Sequence, residues 1–187
     1  MYALSLESSL SGFVAEEVDC ILLSGITVAV QRGYRAEEEL AAQLTERLGL
    51  PVTTSLCANA GALKHVGAKK IVVATAYLER INQALKRYFE DAGFEVLGIR
   101  GLDVANPVGQ AKLPDDASYQ VARGVFGEHP EADAVLVHGR WRTLPHIDRL
   151  EREIARPAVS STAASLWWML KTLGIKLRLD GYGQILR

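Results

Sequence analysis

An α/β fold of two pseudo-symmetric lobes, each with a parallel sheet flanked by helices and the N-terminal lobe shortened, is what this sequence predicts. Three observations lead there. Short apolar runs alternate with segments whose apolar residues recur at helical spacing, the pattern that builds parallel sheets. The two halves of the chain repeat one another. Glycines and polar residues gather just past the apolar runs, where ligands bind in open α/β sheets.

Residues 1–18 carry few turn signals, and Phe13–Val18 reads as a helix end. Asp19–Gly25 is a continuous apolar run closed by glycine, a strand buried on both faces. Leu40, Leu44 and Leu48 share one face of a helix over Arg35–Leu48, which Gly49 stops. Leu50–Thr54 reads as a short strand and Cys57–Val66 as a small-residue helix ending at Gly67. The β-branched run from Ile71 is the central strand and feeds a helix over Leu78–Ala92, with Ile81, Leu85 and Phe89 on its apolar face. Gly93–Ile99 is the next strand. Leu102–Pro114, with Asn106-Pro107 and Gly109, reads as a loop near the site. A helix over Tyr119–Phe126, a buried strand over Ala134–Gly139 and a helix over Leu144–Ile154 follow. Pro157–Ser161 is a strand and Ala163–Leu173 the last clear helix, before a tail bent by Gly181 and Gly183.

The repeat divides the chain. Asp19–Gly25 is answered by Asp133–Gly139, Leu63–Lys69 by Leu170–Lys176, and Pro51 with Thr53-Thr54 by Pro157 with Ser160-Ser161. This assigns residues 1–68 to an N-terminal lobe completed by 160–187, and 69–159 to a second lobe, with the active-site cleft between them. The second half carries a full strand-helix-strand, Ile71–Ile99, before its repeat unit, where the first has about 18 residues. The N-terminal lobe is therefore short.

Composition narrows the partners. A net charge of −1 gives no reason to expect nucleic acid or an anionic membrane surface. No apolar run reaches the ~18 residues of a membrane span, and the start lacks a signal-peptide pattern. Cys20 and Cys57 make neither a disulfide framework nor a metal site, so a cytoplasmic setting is expected. Trp167-Trp168 is expected to pack one ring into the core and leave the other at a surface or subunit contact, which keeps a homo-oligomer open.

There is no phosphate-binding glycine loop, HExxH spacing or GxSxG elbow. Chemistry must come from the strand ends: Ser24–Thr27, Thr53–Ser55, Thr75–Tyr77, His138-Gly139 and Ser160–Thr162. Their hydroxyls and helix-start N–H groups can form an anion hole, or the hydroxyls can simply cap helices. His138 ends a buried strand, where it is either a proton donor or acceptor or a hydrogen-bonded rim residue. His65, His129 and His146 read as surface. Cys20 reads as core. Cys57 starts a helix, which would lower its thiol pKa, but a small buried residue is the favoured reading. Arg140 and Arg142 either pair with a substrate carboxylate or are exposed loop arginines.

With these residues placed, the chain resembles the arylmalonate decarboxylase and maleate cis-trans isomerase branch of the aspartate/glutamate/hydantoin racemase superfamily. The likeness rests on Gly49–Thr54, Val73–Asn82, Thr143-Leu144, Pro157–Ser161 and Gly181–Gly183, in the family's order from about residue 19 to the end. Ala74-Thr75-Ala76-Tyr77 followed by Asn82 is the most specific string. The resemblance implies two lobes around a cleft site that uses no cofactor and takes a small carboxylate or dicarboxylate. It implies that Tyr77 helps bind the carboxylate, and it points to Leu78 and Asn82 beside it. Gly25 falls at the first cysteine position, where the decarboxylases also have glycine. Thr27 falls where a hydroxyl of the dioxyanion hole is expected, and Ile26 replaces a second one. The other cysteine position falls on His138 or on Gly139, depending on the direction of alignment. The family's first strand has no counterpart before residue 19.

These residues discriminate among the family's reactions. A two-base racemase needs a thiol on each face of the substrate, and a maleate isomerase needs a nucleophilic thiol. Decarboxylation of a malonate needs an anion hole, an apolar pocket for the departing carboxylate and one proton donor. The expectation is a decarboxylase-like enzyme in which Tyr77, Thr27 and backbone near Gly25 and Gly139 hold the substrate and His138 delivers the proton. The alternatives are a maleate isomerase or racemase-type enzyme, and an inactive carboxylate-binding relative.

Overall fold

The computed structural model describes Leu10, Gly12 and residues 17–187. The helix end expected over 13–18 falls outside the described residues up to position 16. From there the chain is an α/β fold built from two parallel sheets flanked by helices.

The smaller sheet pairs β1 (Ile21–Leu23) with β2 (Val52–Thr54), in the register Ile21↔Val52 to Leu23↔Thr54. Between them run α1 (Ile26–Arg32) and α2 (Tyr34–Leu48). Helix α2 ends on Gly49, whose left-handed φ of 70° lets its N–H close back on the Thr45 carbonyl. Helix α1 has no counterpart among the expected elements. Its Ile26, Val28 and Val30 are β-branched and give little helical signal, but Gly25 and Gly33 bracket it. Arg32 at its end pairs with the buried Glu37 at 2.9 Å.

The larger sheet is all parallel in the order β4-β3-β5-β6, from β3 (Lys70–Thr75), β4 (Glu95–Arg100), β5 (Ala134–His138) and β6 (Ala158–Ser160). Its middle strands are apolar from Ile71 to Ala74 and from Ala134 to Val137 because both faces are covered. Ile71, Val73, Ala134 and Leu136 face the cluster that includes Leu56, Leu63, Leu85 and Phe89. Val72, Ala74, Val135 and Val137 face Tyr119, Val125, Ile147 and Leu150. Alternation of side chains along each strand makes this split.

The helices are α3 (Ser55–His65), α4 (Glu79–Asp91), α5 (Pro107–Ala111), α6 (Ala117–Glu128), α7 (Leu144–Ile154) and α8 (Ser161–Thr172). Helix α8 lies against α3, and the missing side chain of Gly61 gives the Trp167 ring its approach. Neither Trp167 nor Trp168 is fully buried; the Trp167 ring packs on the core edge. Helix α5 lies inside the stretch expected to be a loop. Asn106 caps it by accepting from the Gly109 N–H at 2.8 Å, and Pro107 supplies a first helical residue with φ already fixed. Among the described residues no helix is long and apolar enough to cross a membrane.

Candidate functional site

Strand register brings the site together. Thr75 is paired with His138, Val137 with Ser160, and Leu23 with Thr54, so residues just past these pairs share the carboxyl edges of the two sheets. A cleft of about 580 Å³ opens there, in the range of small-molecule sites. Gly25, Thr27, Tyr77, His138 and Gly139 line it. A smaller chamber of about 120 Å³ adjoins it, sharing Thr27, Tyr77 and Arg140 and adding Leu78.

At the centre, the Tyr77 hydroxyl lies 2.9 Å from His138 Nδ1. Which ring donates depends on where the imidazole proton sits. His138 is 6% exposed, and its Nε2 has no hydrogen-bond partner among the described residues. Burial lowers the His138 pKa from 6.5 to about 4, so the ring is neutral near pH 7 when the cleft holds no anion. Burial pushes the Tyr77 phenol up, and the positive charge of Arg140 pulls against it.

Tyr77 is held from behind. Its N–H donates to Thr75 Oγ1 at 3.1 Å, and the Thr75 hydroxyl donates to Asn82 Oδ1 at 2.7 Å. Asn82 Nδ2 in turn donates to the Tyr77 carbonyl at 3.4 Å. Asn82, expected beside the substrate, instead lines neither cavity and is 1% exposed, with both ends of its amide engaged. It positions the tyrosine.

The four hydroxyl-bearing ends sort by partner. Thr54 caps α3 by accepting from the Cys57 N–H, and Ser160 caps α8 by accepting from the Ala163 N–H. Thr75 serves the strap just described. Thr27 is exposed on the cleft wall, as are Ser24 and Thr162. Gly25 is also exposed, and a Cβ built on it meets nothing within 4 Å. Gly139 is the opposite case. Its φ is +147°, and a Cβ there would lie 3.0 Å from Trp141 Nε1. Of the two positions the family's second cysteine could occupy, only 138 has backbone that readily carries a side chain.

Neither cysteine lines either cavity. Cys20 is half-buried just before β1 rather than in the core. Cys57 lies in the first turn of α3, and its Sγ is 3.4 Å from the Tyr88 hydroxyl. Burial raises its pKa and outweighs the hydrogen bonds that lower it, reversing the helix-start expectation. The arginines also part company. Arg142 is tied to Asp115 at 2.7 Å, whereas Arg140 lines both cavities. Of the remaining histidines, His65 is exposed, while His129 and His146 are half-buried against neighbours. Among the described residues, no three His, Cys, Asp or Glu side chains gather as metal ligands would.

Comparison with known proteins gives this cleft a family. Arylmalonate decarboxylase of Bordetella bronchiseptica is 27% identical over 168 residues, covering 88% of this chain and 70% of that protein. Maleate isomerase of Alcaligenes faecalis is 29% identical over 160 residues, covering 82% of this chain and 62% of that protein. A crystal structure of arylmalonate decarboxylase shares the fold at a TM-score of 0.91 and 24% identity, over 99% of this chain and 82% of that one. A Nocardia farcinica maleate cis-trans isomerase variant, holding a covalently bound succinylcysteine intermediate, shares it at 0.89 and 21%, over 98% and 77%. The arylmalonate decarboxylase family model matches residues 7–186. The chain belongs to the arylmalonate decarboxylase family, in the branch of the aspartate/glutamate/hydantoin racemase superfamily that also contains maleate isomerases.

Proposed function

We propose that this chain is a cofactor-independent decarboxylase of small malonate-type carboxylates, working through an enediolate. The observation that carries the reading is the buried Tyr77–His138 pair at the cleft, with an unpartnered imidazole nitrogen and no thiol lining the cavity. Decarboxylase and maleate isomerase relatives support a lyase or isomerase. The isomerase of Nocardia farcinica carries its intermediate on a cysteine, and this cleft has none to carry one. That favours the lyase.

The proton balance follows from charge. A malonate enters as a dianion, and one carboxylate is held by the Tyr77 and Thr27 hydroxyls. A carboxylate about 4 Å from the imidazole, at an effective dielectric of about 20, contributes roughly 4 kcal/mol, which opposes the burial that holds His138 at about 4 and raises its pKa. Substrate binding therefore charges His138 by taking one proton from solvent. Nδ1–H then donates to the Tyr77 hydroxyl oxygen, the tyrosine O–H donates to the carboxylate, and Nε2–H, covered and unpartnered among the described residues, must be uncovered by the substrate to reach the reacting carbon. The C–C bond to the free carboxylate breaks, carbon dioxide leaves, and the electron pair passes into the enediolate. Nε2 gives its proton to carbon, and the histidine ends neutral. One dianion and one proton become one monoanion and carbon dioxide.

The test compares the parent with His138→Ala and Tyr77→Phe on phenylmalonate and maleate. The expected result is turnover of the malonate alone, reduced at least a hundredfold by each substitution. Malonate turnover that survives both substitutions would overturn the site assignment. Turnover of maleate would favour an isomerase, and saturable dicarboxylate binding with no turnover would favour a non-catalytic relative.

A further inference from the structure

Among the described residues, two arginines and no acid line the small chamber beside Tyr77. Arg80, in the first turn of α4, and Arg140, past the end of β5, both line its 120 Å³. Among the described residues neither guanidinium has an ion-pair partner, whereas Arg142 has Asp115 and Arg100 has Glu128. Both arginines are exposed, so water screens their repulsion, and an anion entering the chamber would meet two unpaired cations.

Arg140 is also held in place. Its backbone N–H donates to Gln110 Oε1 at 3.1 Å, and Gln110 Nε2 donates to the Val104 carbonyl at 3.4 Å. Gln110 is 4% exposed, so this strap between α5 and the β5–α7 turn is an inside contact. Leu78, Ile81, Val104 and Pro107 give the chamber an aliphatic stretch of wall, beside the polar Thr27, Tyr77 and Gln110. Its volume is somewhat below the ~150 Å³ of a cavity that takes up benzene, which suits a two- or three-carbon arm with a terminal carboxylate.

We propose that the Arg80–Arg140 chamber selects substrates whose side arm is a short aliphatic chain ending in a carboxylate, rather than an aryl ring. This rests on the decarboxylase reading for the reaction but not for the binding preference. The arm's methylenes pack on Leu78, Ile81 and Val104, and its carboxylate meets the two guanidiniums, whose planar forks suit that group. The reacting malonate head lies in the larger cleft against Tyr77 and His138. The shared wall residues Thr27, Tyr77 and Arg140 mark where head and arm join.

The experiment separates binding from chemistry. By calorimetry, glutarate is compared with butyrate, which has the same aliphatic length up to the missing distal carboxylate. Glutarate is expected to bind at least tenfold more tightly, and the Arg80→Gln/Arg140→Gln double variant to lose that ratio. Arg142→Gln, whose partner Asp115 lies outside the chamber, is expected to keep it, and Arg140→Lys to keep part of it. Where malonates are turned over, the KM of the double variant for propane-1,1,3-tricarboxylate should rise at least tenfold more than its KM for ethylmalonate, with kcat changed equally for both. Equal binding of glutarate and butyrate, or a preference that survives in the double variant, overturns the proposal. Absence of turnover with every malonate would sink the decarboxylase reading while leaving the glutarate preference to decide this one.

Discussion

The Tyr77 hydroxyl and His138 Nδ1 meet at 2.9 Å across 61 residues of sequence, because the register that pairs Thr75 with His138 sets both past one sheet edge. That contact buries an imidazole in its neutral form. In the unfolded chain the same ring titrates near 6.5, whereas in the fold burial holds it at about 4. As pH falls from 6.5 towards 4, the unfolded state takes up a proton that the folded state refuses, so stability falls over that window and is fully present above it. The gap is worth roughly 3 kcal/mol. Urea unfolding at steps from pH 4 to pH 7 should show this slope in the parent and lose it in His138→Gln. An equal slope in both proteins would place the pH dependence elsewhere.

Asn82 gives a prediction that the family string alone would put in the wrong place. Its amide accepts from Thr75 and donates to the Tyr77 carbonyl, all within buried surroundings. Asn82→Ala leaves the Thr75 hydroxyl, at zero exposure, without its acceptor, which costs about 1–3 kcal/mol. Gly101→Ala should act on the same strap, since its new Cβ would lie 2.4 Å from Asn82 Nδ2 and 2.5 Å from the Tyr77 oxygen. Both variants should lower the thermal midpoint and weaken dicarboxylate binding together. Loss of stability with unchanged binding would mean that the strap does not position Tyr77.

Where residues do one job, the sequence was readable. The apolar runs at Ile71–Ala74 and Ala134–Val137 have no polar alternation because both faces are covered, and that is visible in one dimension. Tyr77 and His138 were marked by standing past such runs. Their contact was not, because no local signal encodes which residue of β5 pairs with Thr75. Helix α1 has no clear sequence signal because its β-branched residues match a strand equally well, and Gly25 and Gly33 bracket it in the fold. The Cys57 thiol divides the same way. Its helix-start position is local and argues for a lowered pKa, whereas the burial that raises it comes from packing with no local signal, and the Tyr88 hydroxyl, 31 residues away, only partly offsets that burial.

The two glycines at the cleft should respond oppositely to a methyl group. Gly25 has an extended φ of 167° and open space around it, so Gly25→Ala should change stability by no more than about 0.5 kcal/mol. Gly139 combines a φ of +147° with the Trp141 ring at 3.0 Å, so Gly139→Ala should cost about 1–3 kcal/mol and shift His138. Gly25→Cys should likewise fold, and its exposed thiol should react with Ellman's reagent faster than Cys57, whose own thiol is held up by burial. Chemical denaturation measures the first pair, and thiol titration the third. Equal costs at 25 and 139 would mean that the turn after β5 adapts.

The C-terminal tail should be a structural part of the domain rather than a trailing end. Ile185 and Leu186 are buried in the larger core, and the Leu179 N–H donates to the Leu186 carbonyl at 2.7 Å. Helix α7 clasps this turn from its side. Asp148 Oδ1 accepts from the Gly183 N–H at 2.9 Å and from Arg187 at 2.7 Å, while Glu151 accepts from the Gln184 and Ala158 N–H groups at 2.9 and 3.0 Å. Gly183 fits because it has no side chain: φ is +92°, and a Cβ would lie 2.6 Å from Ile147 Cγ2. Gly183→Ala must therefore open the clasp, at a cost of about 1–3 kcal/mol. Asp148→Ala, which removes two charge-assisted bonds without a steric clash, should cost about 1–3 kcal/mol as well. Because both act on one contact, the double variant should cost clearly less than the sum, and denaturant midpoints of the three proteins would show this. Additive losses would mean that Gly183 and Asp148 hold the tail independently.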